Sequence, residues 1–190
     1  RELKAELFRI EQYVEMVLTY LRMEDMASDL KIEHYPLDDL IRASIRKYSQ
    51  MFILKKIRLE YQAVNQNVIT DKKWLCFVIE QILSNALKYT EKGGTIQIFT
   101  KQESNQLWLV IEDNGIGIWE EDLPRVFERG FTGYNGRMDK KASGLGLYLC
   151  KGVCEKLGHG ISVASKEGEG TTVMITLQCE KVQQGDLVNM

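Results

Sequence analysis

The sequence predicts an α+β fold that is preceded by a separate amphipathic helix. Three segments have helical periodicity, and two pairs of short segments alternate apolar and polar residues on either side of turn residues. The helices are predicted at residues 1–30, 38–52 and 72–89, and the strand pairs at 95–101 with 106–113 and 161–165 with 171–177. Strands joined by short turns pair antiparallel, so we expect a mainly antiparallel sheet.

The composition is that of an ordinary globular protein. The 190 residues, 44% of them hydrophobic, suffice for one domain and an extra element. The 25 basic and 27 acidic residues nearly cancel, so the overall charge does not favour nucleic acid or a membrane surface as a partner. The sequence has no apolar run of membrane-spanning length and no signal peptide, and it starts at Arg1. We therefore expect a piece of a longer protein, and the missing membrane span says nothing about that parent.

The four cysteines show no CxxC spacing. Cys150 and Cys154 share a helix face, but only two histidines occur and neither is placed to complete a metal-binding set. We expect the cysteines to be small buried hydrophobic residues in a reducing compartment.

Residues 1–30 carry apolar residues at alternating four- and three-residue spacings, the heptad pattern of a helix packed on another helix. The seam consists of Leu3, Leu7, Ile10, Val14, Val17 and Leu21. So narrow a seam predicts a partner helix, either from a second copy or from a segment outside this sequence. The alternative is an amphipathic helix that lies on its own domain.

The helical pattern stops before a proline, whose preceding residue favours extended geometry. We expect a short strand at residues 31–36, a helix with Asp38 as its N-cap, and further strands at 57–63 and 68–70. His34 is interpreted as an exposed residue of this junction.

The helix predicted at residues 72–89, with Asp71 as its N-cap, has two distinct faces. One is apolar and consists of Leu75, Val78, Ile79, Ile82 and Ala86. The other is polar and consists of Gln81, Asn85, Lys88 and, slightly offset, Tyr89. Amide, ammonium and phenol groups in one column can bind phosphate oxygens and a hydrated Mg²⁺. The alternative is a solvated helix face, although asparagine is a poor helix former.

A buried strand ends at Asp113, which begins the stretch Asp-Asn-Gly-Ile-Gly-Ile. A carboxylate at the end of such a strand, followed by two glycines that let the backbone approach a ligand, suits a flat polar molecule. The alternative is a hairpin turn, because Asn-Gly between hydrophobic segments is a strong hairpin signal.

The next segment is polar and basic. Residues 120–129 predict a short helix that ends at Gly130, and residues 132–143 form a loop of lid length without periodicity. Positive charge is concentrated here on Arg129, Arg137, Lys140 and Lys141.

Ser143 to Leu147, with the sequence Ser-Gly-Leu-Gly-Leu, open a helix predicted to end at Leu157. Glycines at a helix N-terminus leave backbone N–H groups free for an anion, so this is a candidate phosphate site. The alternative is a tight loop. His159 is interpreted as a cap of this helix, and the residues from Gln178 onward as a loose tail.

In order, the sequence contains an asparagine-bearing helix, a DxGxG turn, a Phe-x-x-x-Phe segment, a basic loop, a GLGL helix start and a GxGT hairpin. Over residues 31–178 this arrangement resembles the ATP-binding domain of sensor histidine kinases, in the family shared with gyrase, Hsp90 and MutL. The resemblance implies the Bergerat fold, a two-layer α/β sandwich with a mixed, mainly antiparallel sheet and helices on one face. The stretches EQILSNALKYT, RVFERGFTGYNGR and GLYLCK are most similar to the intramembrane-sensing kinases of Gram-positive bacteria that respond to peptide antibiotics.

The resemblance also implies roles for individual residues. Asn85 would bind Mg²⁺, Lys88 and Tyr89 would lie near the phosphates of ATP, and Asp113 would accept a hydrogen bond from the adenine amine. The residues placed around the adenine are Gly115, Gly117, Ile118 and Thr171. Phe127 and Phe131 would anchor the lid, and Arg129 would contact a phosphate. The residues placed at the start of the following helix are Gly144, Leu145, Gly146 and Leu147.

Two departures from the family pattern bear on the chemistry. Gln81 stands where hydrolytic members carry a glutamate that activates water. An amide can orient a water or assist the metal but cannot accept a proton, which favours phosphotransfer over hydrolysis. Ala142 stands in place of the first glycine before the GLGL start and is expected to stiffen the lid hinge slightly.

The resemblance divides the chain into three parts. Residues 1–30 correspond to the second helix of a dimerisation and phosphotransfer hairpin, 31–178 to the catalytic domain and 179–190 to a tail. We expect the γ-phosphate of Mg·ATP to pass to a histidine on an upstream helix that this sequence lacks, and then to a response regulator. The parent is expected to be a homodimer in the cell membrane that works beside an ABC transporter.

This fragment is expected to be cytoplasmic and to contact neither nucleic acid nor the membrane directly. Three alternatives remain open at this point: a hydrolytic ATPase of the same wider family, a serine kinase of the anti-sigma type, and a catalytically silent dimerisation module.

Overall fold

The computed structural model describes residues 2–23, 25–103, 106–133 and 143–178. The α-helices are α1 (Glu2–Arg22), α2 (Met26–Asp29), α3 (Leu37–Lys55), α4 (Lys72–Tyr89) and α5 (Gly146–Lys156). The strands are β1 (Glu33–Pro36), β2 (Arg58–Tyr61), β3 (Asn67–Thr70), β4 (Thr95–Glu103), β5 (Gln106–Asp113), β6 (Gly160–Lys166) and β7 (Gly170–Leu177). The predictions for Arg137, Lys140, Lys141, Ala142, Cys179 and the tail lie outside the described residues.

The main sheet has five strands in the order β2-β4-β5-β7-β6. β4 and β5, β5 and β7, and β6 and β7 pair antiparallel, whereas β2 lies parallel to β4 at the edge. β1 and β3 form a separate antiparallel pair. The mixed, mainly antiparallel sheet expected from the sequence is confirmed.

Helices α3, α4 and α5 pack with the sheet around one apolar core. The buried face of α4 consists, as predicted, of Leu75, Val78, Ile79, Ile82 and Ala86. Ile98 of β4 and Ile111 of β5 belong to the same cluster, and so do Cys150 and Cys154 of α5, which confirms that these cysteines are buried hydrophobic residues. Within the described part of the chain, no group of His, Cys, Asp and Glu side chains could hold a metal ion.

Helix α1 uses two opposite faces. The predicted seam is half or more exposed at Leu3, Leu7, Ile10, Val14 and Leu21. On the other side Gln12 and Met16 are buried, and the Tyr48 hydroxyl of α3 donates a hydrogen bond to Gln12 Oε1 at 2.7 Å. The seam is therefore open to a partner, while the opposite face of α1 packs on its own protein.

Lys47 of α3 connects α1 with α4. Its Nζ lies 3.0 Å from a carboxylate oxygen of Glu15 in α1 and 2.7 Å from one of Glu80 in α4. Burial raises the pKa of Glu80, and the charge of Lys47 opposes that rise. A cation shared by the partly buried Glu80 and the exposed Glu15 links the three helices, and separating Lys47 from Glu80 would leave a partly buried charge without its partner.

Two predicted helix boundaries are wrong. α1 ends at Arg22 rather than near residue 30, and the short α2 follows it. The N-cap position of α3 is Pro36 rather than Asp38. The Asp38 carboxylate instead accepts hydrogen bonds from the Tyr61 hydroxyl and from the Val64 backbone N–H, and these bonds lower its pKa to about 2. A tertiary partner has thus replaced the local capping bond.

The helix predicted at residues 120–129 is reduced to a 3-10 turn at Leu123–Arg125. The N–H groups of Asp122 and Leu123 both bond to the Trp119 carbonyl. Pro124 has no N–H, so it cannot contribute to an α-helical ladder.

The imidazole of His159, which follows α5, contacts the end of β3 and the residue after β7. Nδ1 accepts a hydrogen bond from the backbone N–H of Gln178 at 3.3 Å, so the ring proton is on Nε2, which lies 3.0 Å from Thr70 Oγ1. The predicted capping role belongs to the backbone alone, whose N–H bonds to the Cys154 carbonyl at the end of α5. Burial lowers the pKa of His159 to about 4. His34, in contrast, is exposed on β1, as predicted.

The neutral state of His159 predicts a pH dependence of stability. The unfolded chain binds this proton near pH 6.5 and the folded chain only near pH 4, so the stabilisation is complete above pH 6.5 and is lost as the pH falls towards 4. We expect His159→Gln to remove about 2 kcal/mol of the difference in unfolding free energy between pH 7 and pH 5. Urea titrations of both proteins at the two pH values measure this, and identical pH dependences would contradict it.

Candidate active site

The candidate site lies where β5, β6 and β7 end beside α4 and α5. Asp113 at the end of β5 is directly opposite Thr171 of β7, and Thr171 is directly opposite Ser165 of β6. Directly opposed residues point to the same face of a sheet, so these three polar side chains form one row. The next row on that face is apolar and includes Ile111 and Val173. The sheet therefore ends in a polar margin at the edge of the core.

Asp113 is a buried carboxylate, with 9% of its surface exposed. Its Oδ1 accepts a hydrogen bond from the Gly115 backbone N–H at 2.9 Å. Burial raises the pKa of Asp113 to about 6, although hydrogen bonds from the backbones of Gly115 and Thr171 lower it. At neutral pH the carboxylate is ionised at a cost, and a ligand that donates a hydrogen bond to it would reduce that cost.

The stretch from Asp113 to Ile118 is not a hairpin, because the strand neighbours of β5 are β4 and β7. It passes between the end of α4 and the β6–β7 turn. The Ile116 N–H bonds to the Tyr89 carbonyl at 3.2 Å, and the Gly168 N–H bonds to the Ile116 carbonyl at 2.9 Å. The hairpin alternative is thus wrong, and this loop is held by backbone on both sides.

The glycines of this loop are needed for contact with other backbone segments. A Cβ on Gly115 would overlap the Tyr89 carbonyl, and a Cβ on Gly117 would overlap the Lys166 carbonyl. Gly117 also has a φ of +70°, in the left-handed region that favours glycine. Their close approach to a base, which the resemblance implies, stays a prediction.

Ser165 is a site residue that the sequence analysis missed. Its hydroxyl accepts a hydrogen bond from the Ile118 backbone N–H at 2.9 Å and donates one to the Gly170 carbonyl at 2.6 Å. It also lies 2.9 Å from the Thr171 hydroxyl. The register of β6 against β7 brings these groups together, and no spacing along the chain indicates it.

The polar column of α4 faces partly into the protein. Gln81 is 8% exposed, Asn85 and Tyr89 are half-buried, and Lys88 is exposed with its ammonium 4.9 Å from the Tyr89 ring centroid. Among the described residues, none forms a hydrogen bond with the Asn85 side chain. The solvated-face alternative therefore fails for Gln81, and the half-buried Asn85 amide is available to a metal ion or a ligand.

Helix α5 begins beside this column without a side-chain cap. Leu145 occupies the N-cap position and gives no side-chain cap, and among the described residues no side chain accepts a hydrogen bond from the first turn of the helix. A Cβ on Gly146 would lie 3.3 Å from Gln81 Oε1, which places the helix start against α4, and Leu147 is half-buried there. Free N–H groups and the helix dipole make this end attractive to an anion such as phosphate.

The two ends of the predicted lid are joined. The Gly130 N–H donates to the Gly144 carbonyl at 2.9 Å, and Gly144 has a φ of +66°. A Cβ on Gly144 would overlap the Gly130 backbone, so this closure requires glycine. Phe127 and Phe131 are half-buried next to it, and the Arg125 guanidinium lies 4.4 Å from the Phe131 ring centroid. The anchoring of the lid by the two phenylalanines stays a prediction.

Two residues that flank the closure contact α1. The Arg129 guanidinium lies 4.8 Å from the Tyr20 ring centroid, and Ser143 Oγ lies 3.5 Å from the Met16 sulfur. The phosphate contact implied for Arg129 stays a prediction, because α1 engages the guanidinium in this structure.

A polar hollow of about 310 Å³ also lies next to Asp113, but it opens on the outer face of the sheet. Three of its lining residues are Glu60, Glu112 and Glu169, with Arg58 as the basic one. This excess of negative charge is unsuited to phosphate.

The fold and site define the class of protein. Residues 70–181 match the histidine kinase-, DNA gyrase B-, and HSP90-like ATPase family. The chain belongs to that family.

The relatives in sequence belong to one branch of this family, the sensor histidine kinases. The chain is 34% identical over 174 residues to the sensor histidine kinase YxdK of Bacillus subtilis, and 37% identical over 179 residues to the sensor protein BceS of Halalkalibacterium halodurans. These matches cover 90% and 94% of this chain but 54% and 53% of the relatives, so the chain spans about half their length.

Solved structures agree with this branch. The mycobacterial sensor histidine kinase MprB matches at a TM-score of 0.68 and 28% identity, over 78% of this chain and 100% of that one. Full-length ShkA in complex with AMPPNP matches in fold at a TM-score of 0.74 and 19% identity, over 95% of this chain and 38% of that one. The chain thus contains an ATPase-type catalytic domain of the sensor histidine kinases.

The backbone contact at Gly117 predicts that substitution by alanine costs much more unfolding free energy there than at Gly168, which has a similar φ. Gly117→Ala adds left-handed strain and an overlap with Lys166, so we expect a loss of more than about 3 kcal/mol of unfolding free energy. Gly168→Ala at a φ of +76° adds only the strain, because nothing lies within 4 Å of its Cβ, and should cost about 1 kcal/mol. Urea unfolding measures both, and equal losses would disprove the contact argument.

Proposed function

We propose that this chain binds Mg·ATP and transfers the γ-phosphate to a histidine on a helix outside the sequence. The buried carboxylate of Asp113 is the observation that carries the proposal. It lies at the polar end of the sheet, next to a loop fixed by backbone contacts to the end of α4 and to the β6–β7 turn. Family membership and the names of the relatives support the same reading.

Asp113 explains why the nucleotide would be ATP. An ionised carboxylate accepts hydrogen bonds only, and adenine offers an amine where guanine offers a carbonyl. Guanine would place two acceptors against each other in a buried site, at a cost of roughly 1–3 kcal/mol. The solved complex of ShkA with AMPPNP supports an adenine nucleotide as the ligand of this fold.

The phosphates would lie between the polar column of α4 and the start of α5. The Asn85 amide oxygen would hold Mg²⁺, which when bound neutralises phosphate charge. Lys88 and the first N–H groups of α5 would bind phosphate oxygens, and the glycines and leucines from Gly144 to Leu147 shape that turn. Gln81, next to Gly146, would orient the reacting groups without taking a proton, which favours transfer to histidine over hydrolysis.

The exposed seam of α1 supports a homodimer in the parent protein. Five apolar side chains at heptad spacing remain half or more exposed on this face, which suits packing against another helix. A response regulator is proposed as the next acceptor, since the histidine kinase ThkA, a structural neighbour, has been solved in complex with the response regulator TrrA.

The parent is proposed to be a sensor in the cell membrane, of the kind that responds to peptide antibiotics and works with an ABC transporter. The match to the sensor protein BceS supports the assignment as a sensor. In the described part of the chain, no helix has the length and apolar character needed to cross a membrane. The catalytic domain is proposed to work on the cytoplasmic side, where ATP is available.

The direct test is incubation with labelled ATP and Mg²⁺. This chain alone should bind ATP but gain no acid-labile label, whereas a longer protein with the upstream helix should become labelled on histidine. Steady phosphate release that rivals labelling would favour a hydrolytic ATPase instead. If the chain shows no Mg-dependent ATP binding, the alternative of a catalytically silent dimerisation module would be favoured.

Asp113→Asn should have opposite effects on binding and stability. The amide presents a donor to the adenine amine, so ATP affinity should fall by roughly 10–100-fold. Burial raises the pKa of Asp113 from 3.8 to about 6, so the carboxylate destabilises the folded protein increasingly between these two pH values and fully above about pH 6. At pH 7.5 the variant should therefore gain on the order of 1 kcal/mol of unfolding free energy. Calorimetric ATP titration and urea unfolding measure the two effects. Asp39→Asn, on the exposed surface of α3, is the control and should change neither.

Asn85→Asp should impair phosphotransfer. The added negative charge and the altered metal geometry would disturb the phosphates, so we expect at least about a 10-fold slower labelling of the histidine in the longer protein. Asn65→Asp adds the same charge at an exposed position and should label normally. Wild-type labelling by the Asn85 variant would remove this residue from the metal site.

A further inference from the structure

The row of polar side chains at the end of the sheet extends one residue beyond those implied by the family resemblance. Asp113, Thr171 and Ser165 are directly opposed on three neighbouring strands. One step further into the sheet, the corresponding residues are the apolar Ile111, Val173 and Val163. The three polar residues, including Ser165, thus form one row at the end of a face whose next row is apolar.

The hydrogen bonds of Ser165 fix which way its proton points. The Gly170 carbonyl, 2.6 Å away, can only accept, so the Ser165 hydroxyl donates its single proton there. The Ile118 backbone N–H, 2.9 Å away, can only donate, so Ser165 accepts from it. Neither contact can be reversed.

This assignment decides the third contact. Ser165 and Thr171 hydroxyl oxygens lie 2.9 Å apart, and either could donate if the pair were isolated. Because the Ser165 proton is already used, the Thr171 hydroxyl must donate to Ser165. Thr171 then has only its lone pairs left for a ligand.

We propose that Ser165 is a specificity-determining residue, which makes the Thr171 hydroxyl an obligate acceptor beside Asp113. Two acceptors side by side favour a base edge that carries an amine and disfavour one that carries a carbonyl. Without the Ser165 hydroxyl, Thr171 could turn and donate to a guanine carbonyl. The inference rests on the proposed binding of ATP, and it assigns part of the base selection to a residue that does not touch the base.

The experiment compares ATP and GTP affinities, each with Mg²⁺, by calorimetry on this chain. We expect Ser165→Ala to lower the ratio of ATP to GTP affinity by about 5–10-fold, chiefly because GTP binds better. Ser165→Thr keeps the hydroxyl and should retain the wild-type ratio within about 2-fold. Ser162→Ala on the same strand is the matched control, because Ser162 is exposed and should leave the ratio unchanged.

A second comparison separates this role from a purely structural one. In a Thr171→Val background the hydroxyl that Ser165 directs is gone, so adding Ser165→Ala should leave the ATP to GTP ratio unchanged. If Ser165→Ala does not fold, Ser165→Cys fills the same space with a weakly bonding group and should lower the ratio in the same direction.

The outcomes distinguish the inference from the proposed function. If the wild-type chain binds neither nucleotide, the proposed function fails. If it binds ATP selectively and a folded Ser165 variant without the hydroxyl keeps that ratio, only the assignment of Ser165 is overturned. A loss of ATP and GTP affinity by the same factor would also overturn it, since that result indicates a general structural role.

Discussion

The site depends on one constraint: a carboxylate must stay ionised and buried at the end of a central strand. Asp113 lies on β5, in the middle of the five-stranded sheet, and its environment raises its pKa to about 6. Backbone N–H groups from Gly115 and Thr171 compensate in part. The following loop lies in close contact with the end of α4 and the β6–β7 turn, where a Cβ on residue 115 or 117 would overlap neighbouring backbone. The unliganded site is therefore less stable than an apolar one would be, as functional sites often are.

Helix α1 connects the surface for a partner with the base of the lid. Its exposed seam and its packed face are on opposite sides, and the packed face contacts Arg129 and Ser143 at the lid closure. Glu15 of α1 and Glu80 of α4 both form ion pairs with Lys47 of α3. The polar contacts of α1 with the rest of the protein include the Gln12–Tyr48 hydrogen bond and the Glu15–Lys47 ion pair.

The sequence predicts the elements of the fold well where a periodic pattern reports burial. The apolar face of α4 and both antiparallel strand pairs are found as expected, because 3.6- and 2-residue periods directly reflect which side meets the core. The errors occur where a distant group decides. Asp38 caps no helix because Tyr61 and Val64 bind its carboxylate, and residues 120–129 form a 3-10 turn around Pro124 rather than a helix.

By itself, the sequence determined the family, the order of the motifs and the acceptor at Asp113, because motif spacing and residue chemistry are local properties. Only the tertiary structure decided that Gly115 and Gly117 face backbone, that Arg129 contacts Tyr20, and that Ser165 belongs to the site. These facts depend on strand register and on helix packing. Register and packing bring together groups that are far apart in the chain, and no spacing along the sequence reports them.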